Sequence, residues 1–268
     1  MPAVLFEKRN HIGYVTFNRP EVHNSYSPET LVLLSGIWTE AERDDDVRAV
    51  IVTGAGKVAF SAGADLGRLI PLFTGARKPE DEWDHKLMAN RRLGDMALLR
   101  GYDFPKPVIA AVNGFCIAGG MEFLQATDLR VASENASFGL QEVKWAIIPA
   151  AGSLARLQRQ IPYAKAMEIL LTGNRIDAQE AWRIGLVNHV VAQEQLLARA
   201  EELARTIAEN GPLAVRKIKE AVRRCSGLPL EEAFKIENQI GREVMASEDA
   251  KEGPRAFMEK RKPNYKGR

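Results

Sequence analysis

Cysteine is scarce in this sequence. The two cysteines, Cys116 and Cys225, lie far apart and form no CxxC pair, which argues against both a disulfide framework and a zinc site. The four histidines show no HExxH or similar ligand spacing, so no bound metal is predicted. Because the chain starts without a basic region followed by an apolar stretch, no secretory signal is expected, and a reducing, cytoplasmic setting is predicted.

Long apolar runs and an excess of one charge are also missing. No apolar run approaches the ~20 residues that a membrane span needs, so no membrane partner is predicted. The 37 Lys and Arg residues nearly balance the 35 Asp and Glu residues, and the net charge of +2 predicts no nucleic-acid partner. On charge alone, the basic tail at residues 259–268 is interpreted as a solvated end.

Apolar residues make up 46% of the 268 residues and are spread along the whole chain, which is typical of a globular protein with a sizeable core. In the first two-thirds, predicted strands alternate with helices. They comprise a hairpin over 4–17, a helix over 28–42 capped by Ser27, buried strands over 47–53 and 107–112, and short strands over 129–132 and 137–139. This alternation predicts a wound α/β core.

The last third of the chain is almost wholly helical in pattern. Helices are predicted over 153–160, 163–171, 178–184, 194–209, 212–225, 229–245 and 247–260, with one strand over 185–191. We therefore predict an α/β core over residues 1–195 and a helical C-terminal region over residues 196–268. Such a region packs on its own core or on a neighbouring subunit.

Two loops of small residues follow buried strands. Residues 60–66 (FSAGADL) form the first, and residues 113–122 (NGFCIAGGME) run into a helix that two glycines begin. Ligands of open α/β folds bind beyond the carboxyl ends of strands, and a helix N-terminus offers free N–H groups. Each loop alone is interpreted equally well as a packed turn.

Two carboxylates lie among apolar residues near these loops. Glu122 falls in the first turn of the predicted helix, and Glu142 follows the short strand over 137–139. A carboxyl group in apolar surroundings has a raised pKa and is a candidate acid or base. Taken singly, each residue has an equally good structural interpretation. Glu122 would complement the helix dipole, and Glu142 would be a surface residue at a strand end.

Together these segments resemble the crotonase superfamily, the enoyl-CoA hydratase/isomerase family, in order and spacing along nearly the whole chain. The resemblance rests on residues 17–24 (FNRPEVHN), 60–66, 106–114 (KPVIAAVNG) and 247–261 (SEDAKEGPRAFMEKR). It implies a crotonase-like wound ββα core with a C-terminal helical trimerisation region. It also implies an acyl-coenzyme A (CoA) thioester as the substrate.

The resemblance further implies a role for each site residue. The backbone N–H groups of Ala64 and Gly119 would bind the thioester oxygen, and stabilise its charge in the transition state. Glu122 and Glu142 would share the proton chemistry, with Glu142 the better match for the proton at the α-carbon and Glu122 for the water. Two facing carboxylates would titrate as a coupled pair.

The resemblance also assigns the contacts with CoA. Val22, Ala62, Asp65 and Leu66 would hold it mostly through backbone groups, while Phe257 and Lys260 would reach its nucleotide end, often from a neighbouring subunit. A homotrimer or a dimer of trimers is implied, and no cofactor is expected besides the CoA of the substrate.

Some residues depart from the family's commonest pattern. The departures are Ala118 where Gly is frequent, Leu140-Gln141 where Pro is frequent, Ala and Ser in residues 149–153 where Gly is frequent, and the bulky pair Lys144-Trp145. They leave the two acids and the oxyanion donors in place, and bear on acyl-chain specificity.

Three functions stay open on the sequence. The first is an enoyl-CoA hydratase of fatty-acid degradation (β-oxidation) or amino-acid degradation, favoured because both glutamates are present. The second is a Δ3,Δ2-enoyl-CoA isomerase or another crotonase-type CoA lyase, in which one glutamate alone would be essential. The third is a non-catalytic acyl-CoA-binding or RNA-binding member of the family, with its pocket blocked or a basic surface dominant.

Overall fold

An antiparallel hairpin opens the fold, as the alternation over 4–17 predicts. It pairs β1 (Val4–Arg9) with β2 (Ile12–Phe17) in the computed structural model, which describes residues 1–268. The turn residues Asn10 and His11 have φ angles of 51° and 64°. Since β2 also pairs in parallel with β3 (Ala49–Gly54), the hairpin forms the edge of a larger sheet.

That sheet has six strands in the order β1-β2-β3-β5-β7-β10. Every pairing after the hairpin is parallel. The remaining strands are β5 (Val108–Val112), β7 (Leu129–Ser133) and β10 (His189–Val191). The predicted strand over 185–191 is therefore wrong in length: Leu186 and Val187 both donate backbone hydrogen bonds to the Ala181 carbonyl and form a turn instead.

Helices cover both faces of this sheet. Side chains of α1 (Pro28–Arg43) share one buried cluster with Val50 and Val52, while side chains of α9 (Leu196–Glu209) share another with Ile51. Successive residues of a strand point to opposite faces, so β3 contributes to both clusters in turn. This burial on two sides explains why the predicted central strands are almost continuously apolar.

A second sheet of four short strands lies beyond the first, in the order β4-β6-β8-β9. Its strands are β4 (Ala59–Ser61), β6 (Phe115–Ile117), β8 (Ser137–Gly139) and β9 (Ile176–Asp177). Along the chain, β3 leads into β4, β5 into β6 and β7 into β8. The predicted wound α/β core thus consists of repeated pairs of strands, one from each sheet.

The other helices surround these sheets. They are α2 (Leu69–Thr74), α3 (Glu82–Ala89), α4 (Arg92–Ala97), α5 (Gly119–Leu124), α6 (Ser153–Gln160), α7 (Tyr163–Thr172), α8 (Ala178–Arg183), α10 (Pro212–Cys225), α11 (Leu230–Met245) and α12 (Glu248–Met258). Ser27 caps α1 as predicted, since its side chain accepts from the Thr30 N–H. No helix combines the length and apolarity needed to cross a membrane.

The C-terminal helices differ in how they pack. Helix α9 lies on the six-stranded sheet, whereas α10 has no buried residue, and α11 buries only Ala233 and Ile240. Judged by the burial of side chains, the layered core includes α9, and the mostly exposed C-terminal helices begin with α10. The division at residues 195 and 196 stays a prediction.

Candidate active site

The two small-residue loops meet at the end of the second sheet. Residues 60–66 begin in β4 and residues 113–122 contain β6, so part of each predicted loop is strand. These two strands are neighbours in parallel register. Tyr26 fastens the first loop, because its N–H donates to the Gly63 carbonyl at 2.7 Å and its carbonyl accepts from the Asp65 N–H at 3.0 Å. Because β4 and β6 are paired in parallel, the loop segments at their carboxyl ends lie next to each other.

Glycine is required where these loops touch. A Cβ atom at Gly63, whose φ is +84°, would lie 2.5 Å from the Gly119 nitrogen, and one at Gly120 would lie 2.3 Å from the Ser61 carbonyl oxygen. The two loops thus contact each other backbone to backbone. The position of a Cβ at Gly119 would be only 3.5 Å from the Ala64 nitrogen.

Two N–H groups at this contact have no acceptor. The N–H of Ala64 and that of Gly119 donate no hydrogen bond within the chain. Gly119 is the first residue of α5, where the N–H has no partner inside the helix. The structure brings together the two donors named from the sequence.

Ala118 has a backbone conformation that few non-glycine residues adopt. Its φ is 50° and its ψ is −127°, a region that usually belongs to glycine. The ψ angle of Ala118 sets the orientation of the peptide that carries the Gly119 N–H. The strain, of order 1–3 kcal/mol for such residues, is thus located at the residue that aims one of the free donors.

Glu122 is buried on α5 and held by two backbone donors. Its Oε1 atom accepts from the N–H of Ala151 at 2.8 Å and from that of Ser153 at 3.1 Å. Burial raises the pKa of Glu122, and these two hydrogen bonds and the nearby Arg156 charge act to lower it. The carboxyl group is fixed in direction by donors that favour its ionised form.

Glu142 is buried without such donors. It begins a 3₁₀ turn, Glu142–Trp145, after β8, and its Oε2 atom has no hydrogen-bond partner. Burial, with a smaller contribution from the Glu122 charge, raises the pKa of Glu142 to about 7. The interpretation of Glu142 as a surface residue is therefore wrong: the residue is only 8% exposed and carries a proton more readily than an ordinary glutamate.

The family model described as Enoyl-CoA hydratase/isomerase matches residues 7–268. The chain belongs to the enoyl-CoA hydratase/isomerase family. It is similar to Enoyl-CoA hydratase EchA19 of Mycobacterium tuberculosis, at 47% identity over 100% of this chain and 97% of that protein. It is also 40% identical to the (E)-benzylidenesuccinyl-CoA hydratase of Thauera aromatica over the full length of both chains.

Solved structures agree with the sequence comparisons. The enoyl-CoA hydratase of Bacillus anthracis superposes with a TM-score of 0.89 at 38% identity, over 99% of this chain and 100% of that one. The predicted crotonase-like fold is confirmed. So are the predicted membership of the enoyl-CoA hydratase/isomerase family and the prediction of an enzyme of the enoyl-CoA hydratase type.

The residues that the family resemblance assigns to CoA in the first half of the chain lie around the first loop. The Ala62 N–H donates to the carbonyl of His23, the residue after Val22, at 3.0 Å. Val22 and Leu66 present exposed apolar side chains, while the Asp65 side chain accepts hydrogen bonds within the chain. The structure therefore gathers these residues beside Ala64.

Phe257 and Lys260 are not gathered with them. Phe257 is 82% exposed at the end of α12, and the tail beyond it reaches Arg48, whose guanidinium donates to the Tyr265 carbonyl. Arg48 lies at the amino end of β3, whereas the enoyl-CoA hydratase/isomerase site lies beyond the carboxyl ends of the strands. Within one chain, these two residues belong to an element anchored at the other edge of the sheet.

Three residues near Glu122, two of them buried and one half-buried, are not indicated as functional by the sequence. They are Gln125, the Ser153 side chain and Arg156. Gln125 lies three residues after Glu122, a spacing that places two residues on the same face of a helix. This spacing is the one signal in the sequence that links Gln125 to the site. Ser153 and Arg156 lie on another helix, so only the tertiary structure reveals their position.

Proposed function

We propose that this enzyme is an enoyl-CoA hydratase, which adds water reversibly across the 2,3-double bond of an acyl-CoA thioester. One observation carries the proposal: two buried carboxyl groups, Glu122 held by two backbone donors and Glu142 with an unpaired oxygen, accompany a pair of free backbone donors. Hydration needs an acid and a base together, and this pair offers one of each.

The backbone donors bind the thioester carbonyl oxygen. As water adds to the β-carbon, the electron pair of the double bond moves toward the carbonyl and the oxygen gains negative charge. The N–H groups of Ala64 and Gly119 stabilise that charge where it develops. Neither donor has to break a hydrogen bond within the chain before it does so.

The two glutamates move the protons as a coupled pair. Glu122, oriented by Ala151 and Ser153, takes a proton from water while the water oxygen bonds to the β-carbon. Glu142, with its pKa raised to about 7 by burial, delivers a proton to the α-carbon. The product contains one added water, and proton exchange returns the pair to its starting state. This chemistry needs no cofactor beyond the CoA of the substrate.

The remaining parts of the proposal concern CoA binding and assembly. Val22, Ala62, Asp65 and Leu66 hold the CoA near the thioester, and Phe257 and Lys260 reach its nucleotide end from a neighbouring subunit. The exposed apolar side chains of α10 to α12 support assembly into a homotrimer or a dimer of trimers. A cytoplasmic role in the degradation of fatty acids by β-oxidation, or of amino acids, fits this chemistry.

The experiment follows the loss of enoyl-thioester absorbance with crotonyl-CoA. Glu122→Gln and Glu142→Gln should each reduce kcat by about 10²–10⁴-fold, because each removes one proton-transfer group. Glu134→Gln is the matched control, since Glu134 is exposed in the turn between β7 and β8. Its activity should equal that of the wild type.

Other outcomes would favour the alternatives. Activity on a 3-enoyl-CoA that survives in one of the two glutamine variants would favour an isomerase. Because one relative is named a benzylidenesuccinyl-CoA hydratase, the substrate panel includes short, branched and aryl enoyl-CoAs. A wild type that binds these thioesters but hydrates none of them would contradict the proposal and favour a non-catalytic member of the family.

A further inference from the structure

Four basic side chains surround one small cavity at the amino edge of the six-stranded sheet, opposite the two loops of the candidate active site. They are Arg48, Lys106, Arg216 and Lys266. Arg48 directly precedes β3, and Lys106 lies two residues before β5. Arg216 belongs to α10, and Lys266 belongs to the C-terminal tail, residues 259–268. Basic residues from four separate segments therefore converge on one point.

None of the four basic side chains has a carboxylate partner within the chain. Lys106 is 2% exposed, and its Nζ atom donates to two backbone carbonyl oxygens at 2.6 Å each. The guanidinium groups of Arg48 and Arg216 also donate to backbone carbonyl oxygens. The nearby carboxylate of Asp44 is paired with Lys8 instead. The positive charges around the cavity are therefore not neutralised by ion pairs.

Asp45 is the one carboxylate on the cavity wall. It is exposed and forms no ion pair. Burial and the charge of Arg216 lower the pKa of Lys106, while the charge of Asp45 acts to raise it. The basic groups thus repel one another, and an anion placed among them would relieve that repulsion.

The N-terminus of α10 adds positive charge at the same cavity. Pro212, the first residue of this helix, lies on the cavity wall. No side chain caps the helix, and its first turn holds no acidic residue. A helix N-terminus carries about half a positive charge and presents free N–H groups, so it attracts anions. The helix and the four basic side chains therefore favour the same kind of ligand.

The size of the cavity limits the choice of ligand. Its volume is about 40 Å³, and one water molecule needs about 10–15 Å³ of such space. The cavity therefore has room for one phosphate-sized ion and none for a nucleoside. Guanidinium groups suit phosphate because their planar N–H groups can donate to two of its oxygens at once.

We propose that this cavity binds a phosphate group, held by Arg48, Lys106, Arg216 and Lys266. The phosphate group joins the core of the fold to α10 and to the C-terminal tail, because these residues come from all three. The tail is already anchored beside the cavity, since the Asp249 carboxylate accepts from two of its N–H groups at 2.7 and 2.8 Å. Binding here is separate from the proposed hydration, which takes place beyond the other edge of the sheet.

Isothermal titration calorimetry with inorganic phosphate tests the site, with the ionic strength held constant by sodium chloride. Lys266→Gln and Arg216→Gln each remove one basic group from the cavity wall. Each should raise the Kd for phosphate about 10-fold, because a hydrogen bond to a charged group is lost. Lys262→Gln is the matched control, since Lys262 is an exposed lysine of the same tail that does not line the cavity. Its Kd should equal that of the wild type.

A titration with adenosine monophosphate distinguishes two sources of the phosphate group. If it binds and both cavity substitutions weaken it, the ligand is a phosphate monoester. If only inorganic phosphate shows this dependence, the ligand is the free ion, and either result supports the site. Binding that neither substitution weakens occurs elsewhere on the enzyme and would overturn the inference. The absence of saturable binding of both compounds would overturn it as well.

Hydrogen exchange of the C-terminal tail gives a second readout. Phosphate should slow amide exchange over residues 259–268 in the wild type and in Lys262→Gln, but not in Lys266→Gln. This measurement needs no acyl-CoA substrate. A tail whose exchange does not respond to phosphate contradicts the inference alone, whereas a wild type that hydrates no enoyl-CoA contradicts the proposed function alone.

Discussion

The guanidinium of Arg19 donates to the Asp65 carboxylate at 2.9 Å and to the Ser25 carbonyl at 2.9 Å. Both charged side chains are mostly buried, at 20% and 13% exposure. Although burial acts to raise it, the pKa of Asp65 is lowered overall by the Arg19 guanidinium and by backbone donors. The ion pair joins the turn after β2 to the loop that carries Ala64, and so helps to fix an oxyanion donor.

Arg19→Met should therefore disturb both stability and activity. It leaves the Asp65 carboxylate partly buried without its cationic partner, which costs about 1–3 kcal/mol of the free energy of unfolding. The first loop should also lose its fixed position, so kcat should fall. Urea denaturation and crotonyl-CoA kinetics measure the two effects. A double variant with Asp65→Asn should regain part of the stability, and a full loss in the double variant would contradict this reading.

Gly63→Ala should damage the site where the two loops touch. The new Cβ would lie 2.5 Å from the Gly119 nitrogen at a φ of +84°, so the loops must separate. We expect a loss of about 2 kcal/mol or more in stability, and a fall in kcat of about 10²–10³-fold from a displaced donor. Gly67→Ala is the control: its φ is not in the left-handed region, and its Cβ would meet nothing closer than 3.5 Å. Equal effects of both substitutions would contradict the prediction.

Glu142→Gln should stabilise the fold at alkaline pH. The pKa of Glu142 is about 7 in the folded chain against an ordinary 4.5, so between these values the folded chain binds the extra proton. Wild-type stability therefore falls as pH rises from about 4.5 to above 7, because unfolding in this range releases the proton of Glu142, and above it the folded chain holds a buried charge. The variant should be more stable by about 1–2 kcal/mol at pH 8.5 and no more stable at pH 4.5. Denaturation at both pH values decides this, and a pH-independent difference would contradict it.

Mixed oligomers test whether Phe257 and Lys260 serve a neighbouring site. The double variant Phe257→Ala/Lys260→Ala should raise KM for crotonyl-CoA, and Glu122→Gln should be inactive. The two variants are then mixed and allowed to exchange subunits. In a mixed oligomer, the intact Glu122 of a tail-variant subunit should receive the intact tail of a neighbouring Glu122→Gln subunit, so part of the activity should return with a normal KM. A mixture with only the high KM of the tail variant would show that each tail serves its own chain.

The sequence predicts the long elements well because their patterns are strong. The helix at 28–42 has a Ser27 cap and an apolar face, and the strand at 107–112 is apolar on both faces, so local rules and tertiary packing agree. The strands Ala59–Ser61, Phe115–Ile117 and Ile176–Asp177 are too short to show a period. They form because the preceding sheet positions their backbones for pairing, which only the fold determines.

The same distinction applies to the site. Glu122 and Glu142 stand out in the sequence as carboxylates beside apolar residues. Val143 and Trp145, next to Glu142, are nevertheless exposed, so the burial of Glu142 is decided by the fold and not by its neighbours in the chain. The hydrogen bond between Gln125 and Ser153 joins two residues that are 28 positions apart in the chain, and no local pattern indicates it. Phe257 is the opposite case, since its position relative to the site depends on how subunits assemble.

The contact between Gly63 and Gly119 also bears on how the enzyme recognises a substrate. Backbone donors held by a loop-to-loop contact have no rotamers to lose when a thioester binds. Their conformational entropy is lost during folding and not during binding. A substrate should therefore find the carbonyl-binding part of the site already formed. Differences in affinity between acyl chains should then arise mainly from the freedom that the acyl chain and the side chains around it lose on binding.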